Sequence, residues 1–121
     1  MHFEKIDEFG NIGMKYLSDF SGGFISRNRH VLNNLKLNKF TQFILEKCVY
    51  GTPIFKLGSG GNRILILSGI HGNELPSQVA NVKLLNKLLN HDLNNTLYFI
   101  PFASPKSTMY NEEESRNDYD L

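Results

Sequence analysis

The chain has 121 residues, 40% of them apolar, with nine Phe, five Tyr and no Trp, and its 13 basic and 12 acidic side chains leave a formal charge of +1. That length fits one domain, and that apolar content excludes a disordered chain. The near-neutral balance excludes the strongly cationic surface of sequence-independent nucleic-acid binding, so no nucleic-acid partner is expected.

The amino terminus, MHFEKIDEFGNIG, places Glu4, Lys5, Asp7 and Glu8 where a signal peptide needs its apolar stretch. No apolar run approaches the ~20 residues of a membrane span, so a cytoplasmic protein without a membrane partner is expected. The single cysteine, Cys48, has no partner for a disulfide or a CxxC pair. Residues 1–50 form a poorly defined amino-terminal segment, broken by Gly22-Gly23 and rich in Asn and Lys from Asn33 to Lys39. Within it, Phe40, Phe43 and Ile44 have roughly helical spacing over 38–47, although the same residues suit a strand.

From Gly51 onward the pattern sharpens. Residues 53–57 make a short β-type run, 58–62 (GSGGN) a turn, and 63–68 a second apolar run, which together read as a hairpin or near-hairpin. The second run holds four consecutive apolar residues, Ile64 to Leu67, the mark of a strand covered on both faces. Leu65 and Ile66 are therefore expected in the core. The period then changes: Val79, Val82, Leu85 and Leu89 form one stripe, which predicts a helix over about 75–90 with Pro76 in its first turn. Residues 96–100 (TLYFI) return to β character and end at Pro101. Strand, helix and strand make a βαβ unit, so the predicted class is α/β, with a mostly parallel or mixed sheet and flanking helices.

His71 and Glu74 fall in the turn between that second run and the helix. In open α/β sheets the carboxyl ends of strands are where ligands bind. An imidazole and a carboxylate three residues apart across such a turn suit a zinc site, with Gly69 and Gly72 permitting a tight backbone path. Spacing alone leaves a second reading, in which Glu74 is an acidic residue favoured by the helix macrodipole. The GSGG turn lacks the Lys-Ser/Thr end of a phosphate loop, and no Gly-x-Ser-x-Gly elbow supports a serine esterase.

The string Ile64-Leu-Ile-Leu-Ser-Gly-Ile-His-Gly-Asn-Glu74 resembles the zinc-binding segment of the succinylglutamate desuccinylase/aspartoacylase family, relatives of the zinc carboxypeptidases. The similarity continues through the strand leading to Ile100-Pro101-Phe-Ala-Ser-Pro105. It reaches Arg116-Asn-Asp-Tyr-Asp120-Leu121, which looks like the start of the family's Arg…Asp-Leu-Asn-Arg motif. The resemblance covers 51–121 and implies the amino-terminal part of a zinc hydrolase domain with a partial zinc-carboxypeptidase-like fold. It implies His71 and Glu74 as ligands of Zn2+ and Asp120 as a carboxylate supporting the ligand histidine. It also implies Arg116 as the residue that polarises the scissile carbonyl, although Arg116 equally reads as a solvated arginine beside Glu112 to Glu114.

The implied activity is hydrolysis of amide bonds in N-acyl amino acids or related small substrates. The family's substrate-holding Asn-Arg, third zinc ligand and catalytic glutamate have no counterpart up to Leu121, so this 121-residue chain is expected to be inactive alone. His91 falls at the far end of the predicted helix, some 20 Å from the turn at about 1.5 Å per residue. His2 and His30 have no assigned place. The alternative is a truncated or degenerate α/β domain that binds a partner and catalyses nothing. The acidic stretch 111–121, with five acidic residues and one basic, reads by itself as a solvated end.

Overall fold

The computed structural model describes residues 2–111. Five strands form one open sheet in the order β1-β2-β3-β5-β4: β1 (Glu4–Lys5), β2 (Ile12–Ser18), β3 (Thr52–Leu57), β4 (Arg63–Leu67) and β5 (Thr96–Ile100). The helices are α1 (Arg29–Leu32), α2 (Lys39–Lys47), α3 (Leu75–Leu88) and α4 (Pro105–Met109). Only β4 and β5 run parallel; the other three pairings are antiparallel. The class is α/β with a mixed sheet, and the mostly parallel form of the expectation gives way to it.

Alternation along the strands builds the core. Ile12 and Met14 of β2 lie opposite Leu57 and Phe55 of β3, which lie opposite Leu97 and Phe99 of β5. All six are buried in one cluster with Phe40, Ile44 and Leu45 of α2 and Val79, Val82 and Leu85 of α3. Phe9, Phe40 and Phe55 form a chain of rings at 5.0 and 6.3 Å that docks α2 on the sheet. The helix expected over 38–47 is therefore present as α2, capped by Asn38, whose side-chain oxygen accepts from the Thr41 amide at 2.8 Å. The amino-terminal third, undefined in the sequence, supplies β1, β2, α1 and α2 to the same sheet and core.

The hairpin expectation is corrected. β3 and β4 do not pair, because β5 lies between them. The 58–62 turn crosses the start of β5 and is fastened there: the Asn62 amide donates to Asn95 Oδ1 at 2.9 Å, the Thr96 amide to Asn62 O at 2.9 Å, and Thr96 Oγ1 to Gly60 O at 3.0 Å. Five turn residues can span the roughly 9.6 Å across one intervening strand. Turn composition marks the reversal of the chain and says nothing of what slots between its arms.

The expectation that β4 is covered on both faces is corrected too. β4 is an edge strand, and Ile64, Leu65 and Leu67 are 41%, 55% and 45% exposed. Ile66 lies opposite Phe99 and packs on the core. Leu65 lies opposite Tyr98 on the far face, in a shallow hollow with Phe3, Ile54, Lys56 and Arg63. Truncating Leu65 therefore removes little buried surface: Leu65→Ala is expected to cost under about 1 kcal/mol, where buried Leu or Ile truncations cost about 2–5 kcal/mol. Urea unfolding checks this, and a loss in the core range would mean that the far face of β4 is buried.

Cys48 is wholly buried at the end of α2, and burial raises its thiol pKa. Iodoacetamide is expected to label it only after denaturation, and labelling at the same rate in native buffer would contradict its burial. The folded state holds the thiol proton that the unfolded chain releases above pH ~8.5. Stability from this group is thus intact below that pH and falls as pH rises through it.

Candidate metal centre

The β4–α3 junction is built by polar groups under a tight backbone path. Past β4, the parallel ladder continues as the Ser68 amide donates to Ile100 O at 3.0 Å, and Ser68 Oγ donates to Pro101 O at 2.7 Å. The return strand closes on the same segment: the Ala103 amide donates to Ser68 O and the Ser104 amide to Gly69 O, each at 3.0 Å. Asn81, almost wholly buried on α3, sends its amide nitrogen to Ser68 Oγ at 2.9 Å and to Ile66 O at 3.1 Å.

Two glycines are required here. Gly69 has φ +80, a left-handed conformation that side chains disfavour. At Gly72 a Cβ would overlap the Ser107 carbonyl and the Thr108 amide, so only glycine lets α4 pack against the turn. The turn itself closes where the Glu74 amide donates to His71 O at 3.2 Å.

The structure thus places His71, half-buried, and Glu74, exposed, on one hydrogen-bonded turn at the carboxyl end of β4. Glu74 is the residue before α3, and its side chain makes no capping hydrogen bond. Its carboxylate is therefore not engaged in a cap, and its position at the start of α3 also suits the macrodipole reading. An imidazole nitrogen and a carboxylate oxygen are the donors that zinc accepts, so this pair fits half of a site. Among the described residues no three His, Cys, Asp or Glu side chains cluster to hold a metal ion.

His30 lies exposed on α1, His2 is exposed near β1, and His91 is exposed just past α3, where its amide donates to Leu88 O at 3.1 Å. His91 instead lines a separate cavity of about 500 Å3 with Asn90, Asp92 and Ser59. Arg116 and Asp120 lie outside the described residues.

No family model, curated protein or solved structure matches the chain.

A buried amide also holds the junction together. Gln78, wholly buried, donates from Nε2 to Gly72 O at 3.2 Å and Glu74 O at 3.0 Å, and its Oε1 accepts from Thr108 Oγ1 at 2.5 Å. The available signal was positional: Gln78, Asn81 and Leu85, at i, i+3 and i+7, share one helix face, so two amides sit on a face that also enters the core. Such polar residues on a buried stripe need partners.

Proposed function

We propose that this domain serves a zinc-dependent hydrolase of amide bonds in N-acyl amino acids or related small substrates, of the desuccinylase/aspartoacylase kind. The observation that carries the reading is the location of His71 and Glu74 together on the turn that leaves the carboxyl end of β4, beside the parallel pair β4/β5, where open α/β sheets take their ligands. The Gly-Ile-His-Gly-Asn-Glu string over 69–74 supplies the chemical class.

When bound, zinc would polarise the substrate carbonyl and lower the pKa of a water toward ~7. The residues that would hold it are His71 through an imidazole nitrogen and Glu74 through a carboxylate oxygen. Gly72 keeps the backbone clear for α4, and Ser68 and Asn81 fix the end of β4 from which the turn departs.

The test is zinc-dependent binding of an N-acyl amino acid, followed by ligand-observed NMR with N-acetyl and N-succinyl amino acids. Binding that requires zinc and disappears in His71→Ala is expected. Turnover by the 121-residue chain is expected to stay near background, because general acid–base assistance alone contributes about 10²–10⁴-fold and Glu74 serves as a ligand in this arrangement. Binding that ignores both zinc and His71 would favour a non-catalytic α/β binding module.

A further inference from the structure

We infer that Gln78 is a positioning residue for the His71–Glu74 turn; this inference rests on the metal-site reading proposed above. Its side chain is wholly buried, and one amide group ties three backbone or side-chain partners from two separate segments. Nε2 holds the carbonyls of Gly72 and Glu74, which flank Asn73 and bracket the turn. Oε1 takes the hydroxyl of Thr108, and Thr108 belongs to α4, the helix whose backbone presses on Gly72.

The contact with α4 is anchored beyond the site. Asn28 Nδ2 donates to Thr108 O at 2.8 Å, while Asn28 Oδ1 accepts from the His30 and Val31 amides at the start of α1. Gln78 is thus the bond between a turn carrying two metal donors and a helix held from the other side by α1. Gly69 completes the pocket, since a Cβ there would come within 2.9 Å of Gln78 Oε1.

Apolar packing cannot replace this arrangement. Leu at 78 would fill the space but take its donor from the Gly72 carbonyl and cut the tie to α4, while Glu74 O keeps the Ser77 hydroxyl at 3.1 Å and the Thr108 hydroxyl keeps Ser104 O at 3.3 Å. Glu at 78 would keep an acceptor for Thr108 and, when ionised, turn a carboxylate toward two carbonyl oxygens. Both substitutions release the turn while α3 keeps its remaining core contacts through Val79, Val82 and Leu85.

The experiment uses the full 121-residue chain and the variants Gln78→Leu, Gln78→Glu and Thr108→Val, with Leu85→Ala as a core substitution remote from the turn. Three quantities are read: zinc affinity by titration, native-state hydrogen exchange at the Glu74 and Phe99 amides, and the urea midpoint. The two Gln78 variants are expected to bind zinc at least ~10-fold more weakly, the range seen when a partner that orients a metal ligand is lost. They are also expected to speed exchange at Glu74 more than at Phe99, with Thr108→Val showing a smaller change in the same direction. Leu85→Ala is expected to lower the urea midpoint while zinc affinity stays within twofold.

Zinc affinity within twofold of the parent in the Gln78 variants, or exchange at Glu74 rising only in step with Phe99, would overturn the inference. If the parent binds no zinc, or binds it equally in His71→Ala, the metal reading fails by itself. The exchange ratio then decides whether Gln78 positions the turn. If Gln78→Leu does not fold, Thr108→Val and Gln78→Glu carry the same readouts.

Discussion

Alanine at Phe99 is expected to destabilise the protein by about 3–5 kcal/mol, a loss comparable to the whole stability of a domain at the ~5 kcal/mol low end of the usual range. Phe99 is wholly buried on β5, the strand between β3 and β4, and lies directly opposite Phe55, also wholly buried. Its ring sits in the cluster where α2 and α3 meet the sheet. Truncation opens a cavity under both helices, and the neighbouring Phe55 and Leu97 are held by strand pairing and cannot collapse into it. Urea unfolding followed by far-UV circular dichroism measures the effect. A cost below about 1 kcal/mol would mean that the core is not organised around β5.

His71→Ala and Glu74→Ala are each expected to abolish saturable zinc binding while the fold survives. No three metal donors cluster among the described residues, so in the proposed site removing either His71 or Glu74 leaves a single side chain, which cannot chelate. Glu74 is exposed and makes no cap, and surface substitutions of that kind change stability by no more than about 0.5 kcal/mol. The two readouts therefore separate. Zinc titration in parallel with urea unfolding should give a lost site on an unchanged fold for Glu74→Ala. Retained affinity in either variant would remove that residue from the site.

The βαβ unit was readable because its signals are local. The period change at the turn, Pro76 in the first turn and the apolar stripe of Val79, Val82 and Leu85 fix α3, while TLYFI bounded by Pro101 fixes β5. Pairing was not readable in the same way. GSGGN announces a reversal between two strands, but the insertion of β5 is decided by Asn62 meeting Asn95 and Thr96, which lie more than 30 residues further along the chain. The run Ile64 to Leu67 has the composition of an interior parallel strand, yet it stands at a sheet edge with Leu65 half exposed. Composition reports what a strand can bury, and position in the sheet decides what it does bury.

The other edge, β1, is two residues long and charged, with Glu4 and Lys5, and so offers little to an adding strand. In residues 1–50, β2 is a short alternation, Ile12, Met14 and Tyr16 against Gly13 and Lys15, broken where the register shifts between Tyr16 and Ser18 and leaves the apolar Leu17 exposed, and its burial depends on Ile12 and Met14 finding Leu57 and Phe55. At the candidate site, residue type and spacing single out His71 and Glu74, and the structure sets the two on one turn. For Gln78 the sequence carries only its place on the helix face of Asn81 and Leu85, and its role depends on Thr108 of the distant α4.

If His71 and Glu74 together form the zinc-binding half of the site, a zinc titration followed through the imidazole resonances of all four histidines reveals it. The expected result is a saturable shift of His71 alone at low zinc, absent in Glu74→Gln, with His2, His30 and His91 responding only at higher concentrations. A His71 resonance that stays in place while another histidine saturates, or a response at His71 that persists unchanged in Glu74→Gln, would contradict it.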